Sequence, residues 1–489
     1  MAWGACIAAL LLLLLAAAGG GNGGVHCLEE GSRSRGRRAL QGRHHLRSRA
    51  VAGATVLELR HHTFSSAPSK SREEEADALL SSDAARVASL QRRIETYRLI
   101  GSSPDAAAAT GTSKAQVPVT SGAKLRTLNY VATVGLGSGE ATVIVDTASE
   151  LTWVQCKPCD SCHDQQDPLF DPSSSPSYSS VPCNSSSCDA LQVATGSVSG
   201  SSSSSPACGG AAAACSYTLS YRDGSYSRGV LARDRLSLAG EAIDGFVFGC
   251  GTSNQGAPFG GTSGLMGLGR SDLSLVSQTM GQFGGVFSYC LPLKDSGSSG
   301  SLVLGDDSSV YKNSTPIVYA SMVSGDPLLQ GPFYFLNLTG ITVGGQEVAS
   351  SSGFTTASKV IVDSGTVITT LVPSIYDAVR EEFVRQLAEY PPAPAFSILD
   401  TCFNMTGLRE VQVPSVKLVF DGGVEVEVDS GGVLYFVSSD SSQVCLAMAA
   451  LRSEYETSII GNYQQKNLRV IFDTAASQVG FAQETCGYI

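Results

Sequence analysis

The sequence predicts an all-β protein of two β-rich lobes related by a pseudo-twofold axis, with a few short helices. Three observations carry this. Two segments repeat one context, Val143-Ile-Val-Asp146-Thr-Ala-Ser149 and Val360-Ile-Val-Asp363-Ser-Gly-Thr366, each running β-branched residues into Asp, hydroxyl, small residue, hydroxyl. From Asn129 onward the chain reads as short alternating strands punctuated by glycine, as in Tyr130-Val-Ala-Thr-Val-Gly-Leu-Gly137. With 489 residues, 16% of them charged, and 53 glycines, the chain exceeds what one hydrophobic core ordinarily holds and favours strands and turns over long helices.

The elements follow in order. Cys6 to Ala18 is continuously apolar and followed by small residues, which reads as a signal peptide over residues 1–24, although its start lacks Lys or Arg. No other stretch is long and apolar enough to span a bilayer, so no membrane is expected in the mature form. Residues 25–124 read as a propeptide and linker. They contain an Arg-rich run from Arg33 to Arg49, a helix over Ser71 to Ile100 with apolar positions at Leu79, Leu80, Val87, Leu90 and Ile94, and a Ser/Ala/Thr/Gly-rich linker over 101–122. The body divides into an N-terminal lobe, 125–315, and a C-terminal lobe, 316–489. Ser197 to Pro206 reads as a surface loop, and Ile375, Val379, Phe383 and Leu387 mark a helix near Ile375 to Tyr390.

Charge is divided along the chain. Residues 1–124 hold 16 Lys/Arg against 10 Asp/Glu, and the rest hold 17 against 34. A basic leader before an acidic body suggests neutralisation within the molecule and argues against a nucleic-acid partner. Of 14 cysteines, Cys6 and Cys27 precede the folded region. The other twelve (Cys156, Cys159, Cys162, Cys183, Cys188, Cys208, Cys215, Cys250, Cys290, Cys402, Cys445 and Cys486) permit six disulfides, which fits a secreted, extracellular chain, with a compartment of the secretory route as a second destination. Connectivity stays open. Cys156-x2-Cys159-x2-Cys162 has metal-ligand spacing, but disulfides with Cys183, Cys188 and other partners are the preferred reading. Cys183 and Cys188 are spaced to close a small loop, and Cys402 and Cys445 to staple the second lobe. Sequons stand at Asn184, Asn313, Asn337 and Asn404.

Histidine usage narrows the chemistry. Five of six histidines precede residue 125, leaving His163, so a triad or a His-rich metal site lacks material, and no metal or cofactor is expected. Two carboxylates brought together on a pseudo-twofold axis remain. They cannot both ionise easily, so they share a proton and can serve as acid and base together.

The motifs then become specific. VIVDTASELTWVQCKPCDSC (143–162), FDPSSSPSYSSVPCNSSSC (170–188), YTLSYRDGSYSRGVLARDRLSL (217–238), SGLMGLGR (263–270), FSYCLP (287–292), VIVDSGTVITTL (360–371) and IIGNYQQKNLRVIFDTAASQVGFA (459–482) occur in this order. Over about residues 125–489 the chain resembles the pepsin-like aspartic endopeptidases, in particular their plant nepenthesin-type or atypical branch. The resemblance implies a bilobal pepsin-like fold, an acid-acting secreted endopeptidase made as a zymogen, protein or peptide substrates, no cofactor and a monomer. It places Asp146 and Asp363 as the catalytic pair, with Ser149 and Thr366 on the outer carboxylate oxygens and Thr147, Ser364 and Gly365 supporting them. It makes Tyr221, with the turn through Gly224 and Ser225, a flap over substrate, supported by Trp153. Gly267 and Gly461, after Leu265-Met266 and Ile459-Ile460, match segments threading beneath each Asp. Residues 79–94 resemble the prosegment, with Asp83 and Arg86 in its pattern. Two departures stand out. Ala148 replaces the usual glycine, which would strain the loop if a positive φ were required, and Gly137-Ser-Gly-Glu-Ala141 replaces a Gly-Thr-Pro turn. Ala148 keeps a second reading open: a weak or inactive binding or inhibitor protein on the same fold, like the xylanase-inhibitor-type relatives.

Overall fold

The computed structural model describes residues 48–51, 54–58, 69–100, 111–195, 214–221, 224–293, 299–311, 314–323, 332–348, 358–437 and 440–487. The signal-peptide reading, most of the Arg-rich run, the Ser197–Pro206 loop, Cys208 and Asn313 lie outside these residues.

Strands dominate. One 14-stranded sheet holds the first Asp motif and an 8-stranded sheet holds the second. The two share one local wiring. In the first, Gly139–Asp146 runs parallel to Gly264–Gly267, which is antiparallel to Trp153–Gln155, which runs parallel to Glu241–Gln255. In the second, Ser358–Val362 runs parallel to Ser458–Ile460, which is antiparallel to Thr369–Leu371, which runs parallel to Met448–Ala450. The apolar runs before each Asp are buried, as expected for strands covered on both faces. The C-terminal strands Leu468–Asp473 and Gln478–Gln483 return to the first sheet, where Leu468–Asp473 pairs with Val286–Cys290.

Composition concealed one strand. Ala115–Ser121, inside the expected linker, pairs with Tyr130–Leu136 and Gly300–Leu304, with Ala115, Val117 and Val119 buried alternately. A period of two among Ser and Thr is a weak compositional signal but a sufficient burial pattern. The Gly137-Ser138 segment closes a tight hairpin, Leu136 opposite Gly139, with Gly137 at φ 56°. Pro373–Gln386 is helical and starts with Pro in its first turn, where a missing N–H costs nothing.

The long helix spans Ser69–Ile100. Leu80, Asp83, Arg86, Leu90 and Tyr97 recur at intervals of three, four and seven, so they share one buried face. Leu80 packs with Val367 and Ile368. Upstream, Ser48–Val51 pairs with Ala54–Glu58, which adds to Glu410–Pro414 in a three-stranded sheet.

Five disulfides are formed among the described residues: Cys156–Cys250, Cys159–Cys162, Cys188–Cys215, Cys290–Cys486 and Cys402–Cys445. The small loop that the Cys183–Cys188 spacing would allow does not form, because Cys188 lies on the helix Ser186–Thr195 and is bonded to Cys215 on the neighbouring segment. Nor do Cys156, Cys159 and Cys162 join Cys183 or Cys188. The strand Trp153–Gln155 runs beside Glu241–Gln255 and delivers Cys156 to Cys250. Asn184 and Asn404 are exposed, while Asn337 is half-buried and its Nδ2 donates to Asp421 Oδ2 at 2.6 Å.

Candidate active site

Asp146 ends its strand and Asp363 directly follows its own, and the next three residues fold back on each carboxylate. Asp146 Oδ1 accepts the Ala148 N–H at 3.0 Å, and its Oδ2 accepts the Ser149 hydroxyl at 2.8 Å. Asp363 repeats this, its Oδ1 accepting the Gly365 N–H at 2.8 Å and its Oδ2 the Thr366 hydroxyl at 2.6 Å. The residues between them tie the lobes reciprocally. Thr147 N donates to Ser364 Oγ at 3.1 Å, and Ser364 N donates to Thr147 Oγ1 at 3.0 Å. Their hydroxyls then donate across to Val362 O and Val145 O. Beneath, Gly267 N donates to Thr152 Oγ1 and Gly461 N to Thr369 Oγ1. A Cβ at either glycine would meet a backbone carbonyl oxygen at 2.5 Å, so the threading segments require glycine.

Both Asp carboxylates are fully buried. Burial pushes Asp146 above the ordinary carboxylate value, the Arg86 charge opposes this, and the Asp363 charge adds to it. Arg86 of the long helix occupies the position between them: its Nη2 lies 2.8 Å from Asp146 Oδ1 and 3.2 Å from Asp363 Oδ2. Asp83, one turn earlier, accepts the Val367 and Ile368 N–H groups at 2.8 and 3.0 Å. Burial lifts its pKa to about 6, against the pull of those two N–H bonds and of Arg86. Gln91 adds a reciprocal amide pair with the Thr457 backbone.

Tyr221 sits at the base of a hairpin turn: its N–H donates to Ser225 O, and Gly224 N donates to Tyr221 O, with Gly224 at φ 86°. Residues 222 and 223 lie outside the described set. Tyr221 and Trp153 both meet Phe259 edge-on, at centroid distances of 5.7 and 4.9 Å. Phe259 was not singled out in the sequence, because nothing local marks an aromatic that joins two others across the fold. Ala148 is buried and does not have a left-handed φ, so its Cβ strains no backbone. His163 stands apart from the carboxylates, its Nε2 2.9 Å from Thr262 O. No group of three or more metal-ligating side chains occurs among the described residues, and no helix there is long and apolar enough to cross a membrane.

Two further residues escaped the sequence reading. Glu150, directly after Ser149, is a fully buried carboxylate. Arg93, two turns after Arg86, donates from Nη1 to Ala148 O at 2.9 Å. Both lay in segments whose motif residues explained the pattern without them.

Comparison with known proteins agrees with this geometry. Residues 130–306 match the family described as xylanase inhibitor N-terminal, and residues 333–483 match xylanase inhibitor C-terminal. An Arabidopsis thaliana aspartyl protease family protein is 41% identical over 76% of this chain and 75% of its own length. Aspartic proteinase nepenthesin-1 of Nepenthes gracilis is 35% identical over 72% of this chain and 77% of its own. The fold is also that of soybean basic 7S globulin, with a TM-score of 0.58 at 21% identity over 76% of this chain and 97% of that one. With its twofold pair of buried aspartates and these relatives, the chain belongs to the pepsin-like aspartic endopeptidases, in the plant branch that includes the nepenthesins.

Proposed function

We propose that this chain is a secreted endopeptidase that cleaves peptide bonds at acid pH through Asp146 and Asp363, and that it is made as a zymogen. The observation that carries the reading is the single Arg86 nitrogen held against two fully buried carboxylates, each supplied with an identical set of hydrogen bonds. Aspartic proteases are the standard instance of two carboxylates sharing one proton. In the open cleft, the ionised partner takes a proton from a water as that water attacks the scissile carbonyl, and the protonated partner donates to the carbonyl oxygen. Ser149 and Thr366 hold the outer oxygens, and Thr147 and Ser364 keep the lobes in register. Tyr221 closes over the substrate with Trp153 and Phe259 behind it.

The long helix then acts as the prosegment. Arg86 neutralises the pair and blocks access to it, and Asp83 anchors the helix on the second lobe. Residues 1–24 are the signal peptide. Processing falls between Ile100 and the strand starting at Ala115, which belongs to the N-terminal lobe ending near 315, with 316–489 as the second lobe. The disulfides support a secretory route, the acidic body argues against nucleic acid, and the mature enzyme is a monomer acting on polypeptides.

The xylanase-inhibitor family descriptions favour a second reading, a binding protein on the same fold. Retention of both carboxylates and all their partners weighs against it. Acid-activated protein is expected to cleave casein or a quenched peptide at about pH 3–6. Pepstatin, Asp146→Asn and Asp363→Asn should each abolish this. A folded, processed protein without activity would leave the binding reading.

A further inference from the structure

We propose that Glu150, the Ala148 carbonyl and the Phe333 ring form a subsite for a basic side chain of the substrate, arginine above all, and that Arg93 holds that place while the cleft is covered. This rests on the proteolytic reading of the cleft and names the substrate class it takes.

Glu150 is displayed at the cleft because it follows the Asp146 loop without a break. Its Oε2 accepts the Ser271 N–H at 2.7 Å, but its Oε1 is buried without a hydrogen-bond partner. That oxygen lies against Gly269, where a Cβ would come within 2.0 Å, so the backbone is shaped around the carboxylate. The symmetry-related half carries no acid at this place. The twofold-related position, four residues after Asp363, is Val367, which is buried and apolar. The Ser271 N–H uses one oxygen of the Glu150 carboxylate in the scaffold, and Oε1 is left over for a cation. Burial lifts the Glu150 pKa to about 7, with the Ser271 hydrogen bond and the Arg93 charge pulling the other way.

Arg93 shows part of what such a position accepts: it reaches the carbonyl and the ring, and acts on Glu150 through its charge without an ion pair to it. Seven residues separate it from Arg86, so the helix presents both on one face. Its guanidinium donates to the Ala148 carbonyl at 2.9 Å and lies 5.2 Å from the Phe333 centroid. Tyr97, a turn further, closes on Phe333 edge-on at 5.8 Å. The fit is incomplete, because Arg93 Nε is buried without a partner. A cavity of ≈ 70 Å³ is lined by Arg86, Arg93, Ser149, Glu150 and Tyr221, so space borders both arginines and the acid. A carbonyl, a carboxylate and an aromatic face together are complementary to a planar cation that can donate and stack at once, which favours Arg over Lys. Once the helix leaves, a cationic substrate side chain that binds here displaces the proton burial otherwise keeps on Glu150 at acid pH, whereas an apolar or acidic one leaves it protonated. The acidic body adds long-range attraction for basic polypeptides.

The test has two arms. In the full-length chain, Arg93→Ala opens the place, and ethylguanidinium is titrated while binding is followed by NMR or calorimetry. Binding to Arg93→Ala that weakens at least about tenfold in Arg93→Ala/Glu150→Gln is expected. Absent or Glu150-independent binding overturns the subsite. In the second arm, acid-activated protein is offered peptides that differ only by Arg, Lys, norleucine or Glu at each position flanking the scissile bond. One position should favour Arg over norleucine at least about tenfold in kcat/KM, and Glu150→Gln should collapse that ratio towards one. A ratio that Glu150→Gln leaves unchanged, or no basic preference anywhere, overturns the inference. Failure of wild type to cut any peptide sinks the proteolytic reading instead, and the ethylguanidinium arm still decides whether the cation site exists.

Discussion

Replacing Arg86 with Gln should uncouple the covered cleft from pH. Arg86 Nη2 touches both carboxylates, at 2.8 and 3.2 Å, and all three side chains are buried. Two ionic hydrogen bonds of this kind contribute about 1.5–3 kcal/mol in total if the carboxylates relax by taking up a proton. That weakens helix docking by roughly 10- to 150-fold. The sign of the pH effect follows from which state Arg86 favours. Burial raises Asp146, and the Arg86 charge works in the opposite direction, so Arg86 stabilises the ionised pair. Its contribution to docking is therefore present when the pair is ionised and lost as pH falls and the pair takes up a proton. One proton bound on release makes the opening equilibrium change by at most about tenfold, or 1.36 kcal/mol, per pH unit.

Without Arg86 the covered pair already holds its proton, and the acid-driven opening disappears, leaving only the opposite dependence carried by Asp83. Opening can be followed by amide hydrogen exchange across residues 79–97, and activity by quenched-peptide cleavage before any chain is clipped. The expected result is a variant that is leaky at neutral pH and much less responsive to acid than wild type. A variant as latent as wild type, with the same pH slope, would refute the reasoning.

Asp83 works in the opposite sense. Its pKa is raised from 3.8 to about 6, so its contribution to docking is full below 3.8 and lost as pH rises through about 6. In the Arg86→Gln background, helix exchange protection should rise on acidification, and adding Asp83→Asn should remove that rise. Gly365→Ala places a Cβ 2.5 Å from Asp146 Oδ1, and displacing the dyad by about an ångström should cost roughly 100-fold in kcat. The related change Ala148→Gly should leave kcat close to wild type while costing about 0.5–1 kcal/mol in chemical denaturation, since Ala148 is buried with ordinary backbone angles; a large gain in kcat would show that Ala148 does strain the site. Arg469 and Glu484 form a buried pair at 2.9 Å, so Glu484→Gln should lower stability by about 3–5 kcal/mol, and a loss within error of zero would contradict that assignment.

What the sequence reveals follows from what is said twice. The dyad, its hydroxyl partners and the paired threading glycines occur in both motifs, so each copy corroborates the other, and the twofold hydrogen bonds at Thr147 and Ser364 need nothing beyond that repeat. Cys402 and Cys445 could be suggested as a pair, and they stand directly opposite each other in antiparallel strands. Cys188 and Cys215 could not, because their meeting depends on how the helix Ser186–Thr195 turns towards the neighbouring segment. Ala115–Ser121 was hidden by its composition, and Phe259 by depending on two distant aromatics.

The differences between the copies mark what the repeat alone leaves out. Ala148 stands opposite Gly365, and Glu150 opposite Val367. The first motif carries a Cβ where the second has none and an acid where the second is apolar, and both lie where Arg93 reaches the cleft: its guanidinium bonds the Ala148 carbonyl and its charge acts on Glu150. A polypeptide has direction and no twofold symmetry. A site made from two equivalent halves can cut such a chain symmetrically but cannot distinguish its two sides. Discrimination must come from positions where the halves have diverged. The breaks in the symmetry are thus the residues to examine for specificity, just as the symmetry itself identifies the residues for chemistry.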